Sequence, residues 1–436
     1  MLGSLLCLLS LGGWCLETAR DSHRTGNGFS KRMMRTLGLA SHWEPDMERN
    51  VSELIASKGY PVEEYTIMTR DGYIFGIQRI PYGRWGPSTY RRSGSWTGVR
   101  MPVLLLHGIL QSSVDFVINM PDQSLGFMLA DEGYDVWLAN TRGNTYGKRH
   151  AWLDPDSEEF WDFSFDEIAL YDTPATIDFI LLKTGMPWLY TVGFSQGNRV
   201  LFALISEKPH YNDKIKVIVA MAPYVTAGYM LAPLRKMYTF ADFTKGITDK
   251  IGKYEYLPNN HWWKLAAKVI CPRIKGYACA KFIMTIFGGN PLHMNMTRFP
   301  VYFMHIPAGT SVKNMAHYGQ LVKSITFSKY DYDREENLRR YGQETPPEYD
   351  LSKTKVPVAA LWSLTDRLSN PVDVRLMRRN TPHMIMDYRV PKLRWSHLDF
   401  VWSPDACHVV YPEVMKILNK MDAQYPVVYD YTYGFL

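Results

Sequence analysis

The stretch that most constrains the fold runs Leu189-Tyr190-Thr191-Val192-Gly193-Phe194-Ser195-Gln196-Gly197-Asn198-Arg199. A short apolar run with the look of a buried strand meets G-x-S-x-G and passes at once into a helical run, Val200 to Glu207. A strand turns into a helix this sharply only where the positions flanking the serine carry no side chain to collide. The backbone of Ser195 is expected in a strained conformation that lifts its Oγ clear of the sheet edge. The helix start behind it offers unpaired N–H groups and the positive end of a dipole, both suited to a developing oxyanion.

Other continuous apolar runs have the pattern of strands buried on both faces of a parallel sheet: Val103 to Leu106, Tyr134 to Ala139 and Ile215 to Met221. Ahead of them, Glu64 to Arg70 and Tyr73 to Pro81 alternate around Asp71-Gly72, a hairpin signal. A helix is predicted over Asp166 to Lys183, opened by a Ser164-x-x-Glu167 capping box and kinked at Pro174. Strand patterning resumes at Val356 to Trp362 and Met384 to Val390, and an amphipathic helix is expected over Pro404 to Met421. Alternating β and α predict a doubly wound, mostly parallel α/β sheet. Between its two parts, 43–223 and 350–422, residues 224–349 lose the β alternation and are expected to form an inserted, mainly helical cap; 426–436 is a Tyr-rich tail without assignment.

Composition narrows the class. With 46% apolar and 21% charged residues the chain is globular, and no basic run interleaved with aromatics tracks a nucleic-acid backbone despite a net charge of +6. Residues 1–16 have the short apolar core of a secretory signal, and no run reaches the ~20 apolar residues of a membrane-spanning helix. In that route Cys271 and Cys279 lie close enough in sequence to close a small loop, while Cys407 is left over. Asn50-Val51-Ser52 and Asn295-Met296-Thr297 are glycosylation sequons at Asn50 and Asn295.

A serine hydroxyl needs a base, and an imidazole base needs a carboxylate to fix its tautomer. On a doubly wound sheet these groups belong on loops after strands, at the carboxyl edge. Val356 to Trp362 is followed by Asp366, and Met384 to Val390 by His397; both are the expected partners of Ser195. Asp373 is a rival placed in a helix, His383 sits before its strand, and His408 falls within the last helix. Asp399 is expected to face its own loop. Two backbone N–H donors are expected to hold the oxyanion: that of Gln196, and that of Leu110 in the loop His107 to Gln111. His107 is expected to orient this loop.

His107-Gly108-Ile109-Leu110, Ala139-Asn140-Thr141-Arg142-Gly143-Asn144, Gly193-Phe194-Ser195-Gln196-Gly197, Pro307-Ala308-Gly309-Thr310-Ser311 and His397-Leu398-Asp399-Phe400 together resemble the acid lipase family. The resemblance implies an α/β-hydrolase fold with a cap and lid. It implies a serine lipase or esterase of the secretory route, secreted or lysosomal, acting on neutral lipid esters at a lipid–water interface. The triad would be Ser195, Asp366 and His397, the oxyanion donors Leu110 and Gln196, and the cap disulfide Cys271–Cys279; no metal or organic cofactor is implied. The lid candidate is Thr239 to Leu257, with Phe240, Phe243, Ile247 and Ile251 on one helical face. A second reading is a lipid-binding or yolk-type protein that keeps the lipase fold without the chemistry. Phe194 departs from the family, which usually has His there; its side chain is expected to point away from the reaction.

Overall fold

The turn at Asp71-Gly72 starts the sheet. Gly72 has φ +93°, and any side chain there would collide with the rings of His150 and Trp152. The computed structural model describes residues 44–86, 100–231, 252–273 and 277–426, with a few isolated positions between 235 and 250. The signal segment, the tail beyond 426, and Phe243, Ile247 and Ile251 of the lid candidate lie outside the described residues.

The strands are β1 (Glu63–Met68), β2 (Tyr73–Ile80), β3 (Pro102–Leu106), β4 (Asp135–Leu138), β5 (Arg149–His150), β6 (Leu189–Phe194), β7 (Ile215–Met221), β8 (Glu255–Tyr256), β9 (Thr310–Ser311), β10 (Val358–Trp362) and β11 (Met384–Arg389). Nine form one sheet in the order β1-β2-β4-β3-β6-β7-β10-β11, with β5 beside β2; β8 and β9 pair separately. Strands from β4 to β11 run parallel, and β1, β2 and β5 supply the antiparallel edge. Strands β3, β4 and β6 are buried along their whole length, which is why their sequences are apolar runs. Edge strand β11 alternates half-buried and exposed positions.

The chain leaves β3 toward β4 on one side and returns at β6 on the other. A crevice therefore opens at the carboxyl ends of these strands. The loops that follow β3, β6, β10 and β11 carry Leu110, Ser195, Asp366 and His397.

Two helices differ from expectation. The Ser164 box forms, with Glu167 Oε2 accepting from the Ser164 N–H at 2.7 Å. At Pro174, however, the helix is interrupted by a π turn over Ile168–Asp172 before resuming as Thr173–Thr184. Proline offers no N–H, so a wider turn just ahead of it absorbs the break in the ladder. The last helix is divided into Ala406–Val409 and Tyr411–Gln424 for the same reason, at Pro412; His408 belongs to the first piece.

The insertion contributes helices His261–Arg273, Tyr277–Phe287, Phe299–His305, Val312–Ser324 and Arg334–Tyr341. Their buried faces, with Trp263, Phe299, Tyr302 and Tyr318, join the same hydrophobic cluster as the sheet. From Glu44 onward the chain clusters as one compact unit. No helix among the described residues is long and apolar enough to cross a membrane.

Candidate active site

Ser195 stands between β6 and the helix Gln196–Glu207 with φ 54° and ψ −116°, the strained turn expected for it. Such a conformation costs roughly 1–3 kcal/mol and persists only where neighbours enforce it. Here the enforcing contacts are visible. The Ser195 N–H donates to the Met221 carbonyl at 3.2 Å, and the Asn198 side chain donates to the same oxygen at 2.9 Å. A Cβ on Gly197 would sit 2.4 Å from the Leu106 carbonyl oxygen, and one on Gly193 would sit 2.3 Å from Asn198 Oδ1. Both glycines are thus required by close approach, neither by a positive φ.

His397 and Asp366 meet as the sequence reading placed them. The Nδ1–H of His397 donates to Asp366 Oδ2 at 2.7 Å, and Asp366 Oδ1 accepts from the N–H groups of Leu368 (2.9 Å) and Ser369 (3.0 Å). Three donors fix the carboxylate, and the carboxylate fixes the imidazole tautomer with Nε2 left as the acceptor. Ser195, Asp366 and His397 are all at least 97% buried. Nε2 has no hydrogen-bond partner among the described residues, so the Ser195–His397 bond is not closed in this structure. Such bonds commonly tighten only around substrate.

Leu110 has φ 61°, unusual for a branched side chain, and its carbonyl is held by the N–H of Ala308 at 2.7 Å. Among the described residues, neither the Leu110 nor the Gln196 N–H is committed to another backbone group. The loop is braced from below. The Gly108 carbonyl can only accept, so His107 Nδ1–H donates to it (2.8 Å) and Nε2 receives the Asn144 amide (3.3 Å). Burial lowers the His107 pKa to about 4, keeping the ring neutral and suited to this orienting role. A Cβ on Gly108 would lie 3.1 Å from Ser195 Cβ, so this loop packs directly on the nucleophile candidate.

The rival residues have other work. Asp373, in the helix Pro371–Asn380, accepts from Thr226 Oγ1 at 2.6 Å, and burial raises its pKa to about 6. Asp399 accepts from Ser396 N–H in its own loop (2.7 Å), and from the insertion it meets His293 at 2.8 Å and the Asn290 N–H at 3.4 Å. The insertion also grips the His397 loop through the Gly288 carbonyl, which accepts from the Leu398 N–H at 2.9 Å. Phe194 does not point away as expected: its ring centroid lies 4.9 Å from that of His397, so it packs against the imidazole. The elbow by itself would turn this ring away; the returning loop after β11 brings His397 against it.

Three site residues escaped the sequence reading. Tyr224, just past β7, is fully buried with its ring 6.2 Å from His397, and burial raises its phenol pKa. Arg199, one turn beyond Ser195, is also fully buried. Tyr318 of the insertion donates to Gln196 Oε1 at 3.0 Å, beside Asn314 Nδ2 at 3.1 Å. The spacing of Arg199 from Ser195 was the one signal available, since i and i+4 share a helix face.

Of the two cysteines assigned to the cap, Cys279 is disulfide-bonded, while the side chain of Cys271 lies outside the described residues; Cys407 is free. Asn50 is exposed and caps the helix Val51–Ser57; Asn295 Oδ1 accepts from the Thr297 hydroxyl at 2.6 Å.

Comparison with known proteins agrees with this geometry. Residues 51–120 match a partial alpha/beta-hydrolase lipase region, and residues 101–247 match the alpha/beta hydrolase fold family. The chain is 39% identical to gastric triacylglycerol lipase of Rattus norvegicus, covering 88% of this chain and 95% of that protein. It is 37% identical to lysosomal acid lipase/cholesteryl ester hydrolase of Macaca fascicularis, over 86% of this chain and 92% of that protein. A crystal structure of a candidate lipase from Sulfolobus solfataricus shares the fold at a TM-score of 0.52 and 14% identity, covering 82% of this chain and 94% of that one. Identity at this level over nearly the whole length of the relatives means that the chain belongs to the acid lipase family of α/β hydrolases, and is a carboxylic ester hydrolase.

Proposed function

We propose that the chain hydrolyses esters of neutral lipids, triacylglycerols or cholesteryl esters, through an acyl-enzyme on Ser195. The observation that carries this reading is the strained Ser195 at the end of β6, facing a crevice that also holds the hydrogen-bonded His397–Asp366 pair. His397 Nε2 takes the Ser195 proton as Oγ attacks the ester carbonyl, and Asp366 stabilises the imidazolium. The N–H groups of Leu110 and Gln196 receive the oxyanion, whose charge develops at the positive end of the helix Gln196–Glu207. His397 then protonates the departing alcohol, and water repeats the sequence on the acyl-enzyme. A carrier protein would gain nothing from a strained elbow, and no observation favours that alternative.

The substrate class follows from the names of the relatives and from the surface. The insertion exposes Leu231, Phe240 and Trp262, apolar side chains suited to a lipid–water interface. The test is a fluorophosphonate probe together with a panel of dissolved short-chain and emulsified long-chain esters. Ser195 is expected to be labelled, and emulsified esters to be hydrolysed at the higher rate. Labelling elsewhere, or hydrolysis confined to dissolved esters, overturns the assignment.

The secretory route, the glycans at Asn50 and Asn295, and the pairing of Cys279 with Cys271 belong to the same proposal. A bonded Cys279 suits an oxidising compartment. Peptide mapping of unreduced protein from a secreting cell is expected to show Cys271–Cys279 joined and both asparagines modified. A peptide joining Cys407 to either cysteine, or unmodified asparagines, contradicts it.

A further inference from the structure

Arg199 is completely buried, and its Nε, Nη1 and Nη2 have no hydrogen-bond partner among the described residues. A guanidinium cannot escape this by losing a proton. What surrounds it is aromatic: its central carbon lies 4.3 Å from the ring centre of Tyr318, 4.7 Å from Tyr224 and 5.3 Å from Phe165. Rings of this kind attract a cation over their faces and leave its N–H edge without acceptors. The nearby carboxylates are committed elsewhere. Asp366 serves His397, Asp373 takes Thr226, and Asp166 accepts from the Tyr349 hydroxyl (2.6 Å) and the Tyr330 N–H (2.8 Å).

The position is as informative as the missing acceptor. Helical side chains lean toward the helix N-terminus, so a residue four past Ser195 lies over the turn that carries Ser195 and Gln196. The same cage reaches the reacting groups by two routes. The Tyr318 hydroxyl bonds Gln196 Oε1, and the Tyr224 ring lies beside His397 with its hydroxyl close to those of Ser195 and Tyr318. The unused donors of Arg199 and the hydroxyl of Tyr224 thus stand beside the nucleophile candidate in a largely aromatic enclosure.

We propose that Arg199 and Tyr224, held by Tyr318 and Phe165, form a carboxylate-binding subsite next to Ser195. The inference rests on the reading of Ser195 as nucleophile. One fixed cation in an aromatic cage matches one monoanion, and a guanidinium edge presents parallel donors to the two oxygens of a carboxylate. Such a group arises in two ways: as the fatty acid that the reaction itself releases, or as the free acid of a half-ester substrate.

The test uses the full-length protein and its R199M variant at pH 7. It compares kcat/KM for 4-nitrophenyl hydrogen glutarate with that for neutral 4-nitrophenyl butyrate, and measures octanoate and octanol binding by calorimetry. The ratio of acidic to neutral ester is expected to fall at least about tenfold in R199M. Octanoate is expected to bind the wild type at least about tenfold more tightly than octanol, with the difference lost in the variant. A response of the ester ratio alone assigns the subsite to acidic substrates, and a response of octanoate alone assigns it to the product. An unchanged ratio with octanoate no better than octanol overturns the subsite and leaves a guanidinium caged with water. If R199M does not fold, the wild-type comparison of octanoate with octanol decides alone. Absence of fluorophosphonate label on Ser195 identifies failure of the nucleophile reading instead; calorimetry still reports on the cage.

Discussion

Ser195→Ala is expected to lower kcat by roughly four to six orders of magnitude, and His397→Ala by a similar factor. The two losses should not add in the double variant. Members of a triad act as one unit, so the second removal takes away a contribution already gone. On the proposed mechanism the residual rate comes from the Leu110 and Gln196 donors and from substrate positioning, which neither substitution touches. Removing the strained serine leaves the β6 turn anchored through Asn198 to Met221, so the thermal unfolding profile of Ser195→Ala should match the wild type. Single-turnover kinetics with a chromogenic ester check this. Retention of more than a few per cent of activity by either folded variant removes that residue from its assigned role.

Asp172→Ala should be among the most destabilising single changes in the molecule, costing roughly 3–5 kcal/mol. Arg142 is buried, and Asp172 accepts from both its backbone N–H and its Nε, each at 2.8 Å. Asp71 takes the other side of the guanidinium at 2.7 and 3.0 Å, and the Tyr73 ring lies 3.8 Å away. Loss of Asp172 leaves a permanent charge half-paired in the interior. Replacing both residues, as Arg142→Met with Asp172→Leu, removes charge and counter-charge together and should recover most of the loss. Asp71 is then unpaired, yet it is exposed enough to be hydrated. Urea unfolding of the single and double variants measures both effects. A single variant within about 1 kcal/mol of the wild type, well below the usual cost of an unpaired buried charge, contradicts the assignment.

Much of the active-site frame was legible because it depends on short-range rules. A parallel strand buried on both faces must be an apolar run, and catalytic groups on such a sheet sit just past strand ends. Leu189–Phe194, Val358–Trp362 and Met384–Arg389 therefore pointed to Ser195, Asp366 and His397 in turn. What stayed hidden depends on partners far apart in the chain. Arg199 looks like an ordinary helical residue until Tyr224 and Tyr318 close over it from the β7 loop and the insertion. Phe194 meets His397 only because the loop after β11 folds back across the elbow. Pro174 announces a disturbed helix, but whether the chain bends or widens into a π turn depends on what it packs against, and the sequence does not print that.

The two backbone bonds from Ala308 to Leu110 and from Leu398 to Gly288 have a consequence for recombination between relatives. A chimera that borrows a foreign insertion to change its lipid preference must also bring an N–H where Ala308 presents one and a carbonyl where Gly288 does. Without them the grafted protein has a new mouth and a slack Leu110 loop, and if that loop holds the oxyanion as proposed, its rate falls whatever the fit of the lipid. On that mechanism selectivity and turnover are inherited together, and drift in one half of the gene constrains drift in the other.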